Sequence, residues 1–241
     1  MDLGINGRVA LVTASSKGLG RASALALAEE GCKVVVCARG EEALRATEKE
    51  LAARTEVLAL AEDVTELDAP GRLVAATVER FGTIDILVPN AGGPPPARAF
   101  EFDDRQLAAA LNANLTTSIR LAREALPHMR ASRWGRICCI TSYAVKQPIP
   151  TLALSNVART GLWAWIKTAA QEVFADGITV NTACPGLHAT DRMKALGGGN
   201  IDGFGEPTDF GRVVAFLCSQ PANFITGTAL QVDGGATVGL L

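Results

Sequence analysis

One segment near the amino terminus has the residue types and spacing to hold a phosphate. Arg8–Thr13 reads as an apolar strand, and Thr13-Ala14-Ser15-Ser16-Lys17-Gly18-Leu19-Gly20 leads from it into Gly20–Glu30, a helix rich in Ala and Leu. Glycines at such a junction let the backbone approach a ligand closely, and a helix N-terminus adds unpaired N–H groups and a favourable dipole. The plain alternative is an ordinary strand-to-helix turn; the strand before and the helix after favour a dinucleotide pyrophosphate site. Charge refines the ligand. Sites that grip a free ribose place a carboxylate near the end of the second strand, whereas here Lys33–Ala38 runs into Arg39 with no acid before Glu41. Arg39 and Lys17 are suited to converge on a 2′-phosphate, where each charge-assisted hydrogen bond is worth about 1.5–3 kcal/mol. Two solvated surface cations are the bland reading; the absent acid and the two bases together point to NADP(H).

The elements that must position this loop alternate regularly. Glu41–Ala53 reads as a second helix, Glu56–Ala61 as a third strand, Glu66–Phe81 as a third helix ending at Gly82, and Ile84–Val88 as a fourth strand. A Gly/Pro-rich loop, Gly92 to Pro96, precedes helical sequence through Leu111 and again to Arg130. Arg136–Thr141, Ile178–Thr182 and Ala229–Val232 complete seven strands, with helices at Asn156–Phe174 and Thr208–Ser219. Near-continuous apolar strands separated by helices require a parallel sheet covered on both faces. The expected fold is therefore α/β: a doubly wound, Rossmann-type, seven-stranded parallel sheet flanked by helices, with residues 1–241 forming a single domain. The glycine-rich stretch Leu187–Glu206 has no convincing period.

Composition excludes several classes of function. The 241 residues are 48% hydrophobic and 20% charged with a formal net charge of −2, which offers no basic surface for nucleic acid or an anionic membrane. Met1–Asn6 lacks a basic region followed by an apolar stretch, and no apolar run approaches the roughly 18–20 residues of a membrane span. The six cysteines, Cys32, Cys37, Cys138, Cys139, Cys184 and Cys218, include no C-x-x-C pair and read as buried hydrophobes in a reducing cytoplasm. Two isolated histidines, His128 and His188, leave no metal site to expect.

The ordered motifs resemble those of the short-chain dehydrogenase/reductase family. Its Thr-Gly-x-x-x-Gly-x-Gly fingerprint is matched by Thr13 to Gly20 with Ala14 at the first glycine. Asp63-Val64 resembles the pair that contacts adenine, and Asn90-Ala91-Gly92 the Asn-Ala-Gly segment after the fourth strand, with Pro89 where a second asparagine is usual. Pro185-Gly186 with Thr190 resembles the segment that meets the nicotinamide carboxamide, and Gly227 to Gly235 the family's last strand and turn. The core is most similar to the 3-oxoacyl-[acyl-carrier-protein] reductase branch. The resemblance implies a small carbonyl or acyl-thioester substrate, a mobile lid near residues 187–207, and a homo-oligomer, either a dimer or a D₂ tetramer built partly on the long helix carrying Leu162, Trp163, Trp165 and Ile166.

The resemblance also assigns catalysis, and there the chain departs from it. The family uses an Asn, matched by Asn114, a Ser, matched by Ser142, and a Tyr-x-x-x-Lys pair. At the tyrosine position stands Ser155 and at the lysine position Arg159, in unbroken register with Ala158, Gly161 and Leu162. A phenol has a pKa of about 10 and an alkyl hydroxyl lies several units higher, so the usual general acid, worth roughly 10²–10⁴ in rate, is missing. Arg159 retains the capacity to hydrogen-bond a ribose, though its fork geometry differs from an ammonium's. Replacement donors are Tyr143, the one tyrosine, if its strand has already ended; His188, for which plain exposure is the ordinary expectation; and Ser155 relaying from water. Three functions remain open on sequence: an NADP(H)-dependent oxidoreductase with an atypical proton relay, an NADP(H)-binding sensor or scaffold, and a non-redox lyase or isomerase.

Overall fold

In a computed structural model, residues 1–195 and 203–240 are described. Seven parallel strands form one sheet: β1 (Val9–Val12), β2 (Lys33–Ala38), β3 (Val57–Ala61), β4 (Ile86–Val88), β5 (Gly135–Ile140), β6 (Ile178–Pro185) and β7 (Ala229–Val232). Their order is β3-β2-β1-β4-β5-β6-β7. The order therefore reverses direction between β1 and β4, the switch point at which such sheets bind ligands beyond their carboxyl ends. Val12 pairs with Val36 on one side and Val88 on the other, so the loops leaving β1, β2 and β4 emerge together.

The helices are α1 (Gly18–Glu29), α2 (Glu41–Ala52), α3 (Ala69–Phe81), α4 (Asp104–Leu111), α5 (Thr117–Ser132), α6 (Ala153–Val173), α7 (Asp191–Ala195) and α8 (Pro207–Leu217). Strand alternation sorts them into two layers. Ala10, Val12, Val34, Val36, Cys138 and Ile140 point to one face and are covered by α1, α2 and α8 through residues such as Leu27, Leu44 and Phe210. Leu11, Val35, Cys37, Ile137 and Cys139 point to the other and meet α3, α5 and α6 through Leu73, Leu121 and Ile166. All six cysteines are buried free thiols; burial pushes Cys32 and Cys37 up to about 12, so both stay protonated at neutral pH. No helix among the described residues is long and apolar enough to cross a membrane.

Element limits differ from the sequence pattern where polar side chains intervene. Helix α3 begins at Ala69 rather than Glu66, because the Asp63 carboxylate accepts from the Thr65 backbone N–H and hydroxyl and holds that segment in a turn. Strand β4 begins at Ile86 rather than Ile84; the preceding Asp85 uses its carboxylate to accept from Val9 N–H and Arg8. Strand β6 continues to Pro185, three residues beyond the expected end, carrying the chain to the site. Within 187–207, α7 and a pairing of His188 with Gly205 are seen, and the expected flexible core around Gly197-Gly198-Gly199 lies outside the described residues.

Candidate active site

The loop after β1 is a backbone cradle. Lys17 caps α1 without offering a side-chain acceptor, and the first turn holds no acid, so its N–H groups face outward for an anion. Gly18 lies at φ +58°, and a Cβ on Gly20 would fall 2.5 Å from the Ala14 carbonyl oxygen and 2.7 Å from Asn90 Nδ2. Ala14 itself lies at φ +46°, left-handed backbone that favours the glycine of the resembled fingerprint. The side chains of Thr13 and Ser15 brace the cradle. Thr13 Oγ1 donates to Asn90 O at 2.7 Å and accepts from Asn90 N at 2.9 Å. Ser15 Oγ donates to Val12 O and accepts from Cys37 N, tying β1 to β2. Ser16 O accepts from Thr47 of α2, and Leu19 is half-buried against the core.

Lys17 is exposed, and Arg39 leaves the end of β2 with its side chain 78% exposed and Nη1 3.6 Å from Asp63 Oδ2. Burial alone would raise the Asp63 pKa, but the Thr65 hydrogen bonds and the Arg39 charge outweigh it and hold the carboxyl below its usual range. Val64 is buried in the core beside Asp63. Asn90 Nδ2 donates to Ala14 O, and Ala91 and Gly92 continue the wall opposite the cradle. On the far side, Gly186 sits so close to Asp233 that a Cβ would fall 2.6 Å from its Cα. The chain after Pro185 and Gly186 then returns toward the cradle, placing the Thr190 methyl 3.8 Å from a Cβ built on Gly18. A loop of free N–H groups, glycine positions with no room for a side chain, and cations at the α1 N-cap (Lys17) and after β2 (Arg39) together fit a phosphorylated dinucleotide.

The residues at the resembled catalytic positions lie on three segments: the turn between α4 and α5, the chain just after β5, and α6. Between α4 and α5 the helix widens into a π turn, Asn112–Thr116, carrying Asn114, a disruption common at functional sites. Asn114 is 4% exposed; its Nδ2 donates to Gly92 O at 3.3 Å, while its buried Oδ1 has no partner among the described residues. Helix α6 approaches this turn at Gly161, where a Cβ would touch Leu115 at 3.4 Å. Ser142 has extended backbone, and its Oγ accepts from Ala144 N–H, which leaves the hydroxyl proton free to donate. Ser155 is 7% exposed and its hydroxyl makes no hydrogen bond to any described residue.

Arg159 is the unusual group. It is 8% exposed, and its Nη1 donates to Ile140 O at 2.9 Å and Thr141 O at 2.7 Å, capping the carboxyl end of β5 immediately before Ser142. A guanidinium carries five N–H donors; with two so used, three remain without an acceptor among the described residues, yet their nitrogens are not sealed from solvent. Burial, reinforced by the charge of Arg192, pushes the guanidinium down to about 10.

The replacement donors fare unequally. Strand β5 ends at Ile140, and Tyr143 opens a short 3₁₀ turn, Tyr143–Val145, so it is no longer held to strand alternation. Lys146 lies 4.2 Å from the ring centre of Trp163. His188 is buried and not exposed: its ring packs edge-on to Phe210 with centroids 5.2 Å apart, Gly205 closes over it, and Nδ1 is 3.3 Å from Gly186 O. Burial lowers its pKa, so the imidazole is neutral at pH 7. Arg192, to which the sequence pattern assigns no role, donates from Nη2 to Pro94 O at 2.7 Å and lies where a Cβ on Gly93 would fall. Its signal was a cation in a loop with few charges.

Comparison with known proteins accords with this architecture. Residues 13–237 match the family model described as enoyl-(acyl carrier protein) reductase. The chain is similar to the 3-oxoacyl-[acyl-carrier-protein] reductase FabG of Vibrio cholerae, at 34% identity over 97% of this chain and 98% of the relative. It is also similar to the 3-oxoacyl-[acyl-carrier-protein] reductase of Synechocystis, at 35% identity over 96% and 97% of the two chains. Among solved structures, L-sorbose reductase from Gluconobacter frateurii, complexed with NADPH and L-sorbose, superimposes with a TM-score of 0.93 at 32% identity, covering both chains fully. The chain belongs to the short-chain dehydrogenase/reductase family. Within that family these relatives include 3-oxoacyl-[acyl-carrier-protein] reductases and an L-sorbose reductase.

Proposed function

We propose that the chain is an NADP(H)-dependent oxidoreductase that reduces a small carbonyl, of the acyl-thioester or free-ketone kind, with Arg159 stabilising charge where a phenol would donate a proton. The observation that carries the reading is the buried Arg159 guanidinium, fixed at the end of β5 with three N–H groups that have no acceptor among the described residues. The cradle Thr13–Gly20 would hold the pyrophosphate, Lys17 and Arg39 the 2′-phosphate, Asp63 and Val64 the adenine, and Asn90, Ala91 and Gly92 the adjacent ribose wall. Pro185, Gly186 and Thr190 would flank the carboxamide. Bound NADPH supplies the hydride.

Ser142 then donates its free hydroxyl proton in a hydrogen bond to the substrate carbonyl, polarising it. Negative charge developing on that oxygen is met by the Arg159 N–H groups, preorganised by Ile140 O and Thr141 O; such donors act most strongly where water is excluded. The proton that completes the alcohol comes from water, with the unpartnered Ser155 hydroxyl placed to relay it and Asn114 Oδ1 available to hold a water. Buried free thiols suit a reducing cytoplasm. Exposed Val157 on α6 suits burial in a dimer or D₂ tetramer.

Mixing the NADPH complex with 3-oxoacyl thioesters, diketones and hydroxyketones in single turnover tests this. Oxidation above the buffer rate that falls in Ser142→Ala and Arg159→Gln supports it; tight NADPH binding with no oxidation by any member refutes it. That second outcome belongs to a sensor or scaffold, the reading favoured by the weak acid at Ser155.

A further inference from the structure

Beside Arg159, which meets the reacting oxygen, stands a second cation that reduction of a neutral carbonyl does not use. Two guanidinium groups, Arg159 at the end of β5 and Arg192 on α7, lie close enough that the second helps to lower the pKa of the first. Like charges so placed repel, and in a partly desolvated cleft the cost is larger than in water. No carboxylate of the described residues pairs with either one: Arg159 is held by the carbonyls of Ile140 and Thr141, and Arg192 by the single carbonyl of Pro94. A cation bonded only to neutral carbonyls lacks the partner that most stabilises it.

The position of Arg192 is built. Its guanidinium crosses from α7 to the loop after β4 and lies in space left open by Gly93, where a Cβ would fall 2.8 Å from Nη2. That loop is the one whose Gly92 carbonyl accepts from Asn114, so Arg192 is moored to the same wall as the resembled catalytic asparagine. Arg192 as a whole is exposed, but its hydrogen bond to Pro94 O is part-buried, and that partial burial lowers its pKa.

Resting on the reductase reading above, we infer that the substrate carries a carboxylate close to its reducible carbonyl, as in a short oxo acid, and that Arg192 exchanges Pro94 O for that carboxylate. Arg159 faces the carbonyl oxygen and Arg192 the acid group, so one anion separates and neutralises the pair. A bidentate guanidinium–carboxylate contact supplies geometric choice as well as affinity. Arg192 is thus a specificity residue, and the neutral ester or amide of the same oxo acid is a poor ligand.

Two measurements on the full-length NADPH complex decide the matter. The first is calorimetric binding of oxamate, an unreactive oxo-acid mimic, against its neutral diamide, oxamide. Wild type should bind oxamate about 10- to 100-fold more tightly, and Arg192→Met should lose that preference while Arg192→Lys keeps part of it. The second is single-turnover NADPH oxidation by a short oxo acid and its methyl ester, where the same preference and the same loss are expected. Equal treatment of acid and ester or of oxamate and oxamide by wild type, or a preference unchanged in Arg192→Met, overturns the inference. Failure of every carbonyl to oxidise NADPH while oxamate still binds through Arg192 overturns the reductase reading and leaves the anion site standing.

Discussion

Replacing Arg159 by Gln removes the positive charge while keeping a planar group able to donate. In the native site two of five N–H groups hold Ile140 O and Thr141 O, and three remain for the cleft. Gln offers two N–H groups, and if they take over the two carbonyls nothing is left for the oxyanion. Loss of one such donor costs about 2.7–4 kcal/mol, or 10²–10³ in rate. Arg159→Lys keeps the charge and has three donors, so one remains after the carbonyls are served; a loss of roughly tenfold is expected. Folding is the confounding variable, because orphaning a buried carbonyl costs about 1–3 kcal/mol. Thermal unfolding with NADPH present should be read alongside single-turnover NADPH oxidation. An Arg159→Gln protein that is folded, binds NADPH and retains a rate within about threefold of wild type would refute the assignment of Arg159 to the reacting oxygen.

Other consequences are equally open to measurement. Ala14→Gly should stabilise the protein by about 0.5–1 kcal/mol in urea unfolding, since left-handed backbone at φ +46° costs an L-residue about 1–2 kcal/mol and glycine's added chain entropy offsets only part; a lower midpoint would contradict this. His188 has a folded pKa below its usual 6.5 because of burial beside Phe210, with Asp209 the nearby charge acting the opposite way. Its contribution is therefore complete above pH 6.5 and lost as pH falls through the folded value. Stability should drop as pH falls below 6.5 more steeply in wild type than in His188→Gln, and parallel profiles would dismiss the site. Arg39→Ala should reduce the preference for NADPH over NADH about tenfold or more, measured by equilibrium fluorescence, with Lys17→Ala acting in the same direction. An unchanged ratio would return both to the solvated surface.

Much of this architecture was legible because periodicity and chemistry agree. The seven apolar runs became seven strands, since each alternating pair such as Leu11 and Val12 feeds a separate helical layer. The cradle pattern was legible because Gly18 lies at φ +58°, which favours glycine, and Gly20 has no room for a Cβ. Boundaries shifted where a single carboxylate, Asp63 or Asp85, captured backbone N–H groups across the fold, an event that local pattern does not encode. His188 departs from the exposure expected of a loop histidine for the same reason: its burial depends on Phe210 and Gly205, which are distant in the chain. Register alone located Ser155 and Arg159, but that Arg159 is moored to the carbonyls of β5 follows only from the packing of α6 against the sheet.

The most direct test is transfer of isotope. NADPH deuterated at its transferable position is mixed with the protein and the carbonyl panel, and the alcohols are examined by mass spectrometry. The account predicts an alcohol carrying one deuterium bonded to the former carbonyl carbon, formed by wild type and about 10²–10³ more slowly by Arg159→Gln. NADPH bound and retained with no labelled alcohol from any substrate, or NADPH consumed with no deuterium in product, would contradict it.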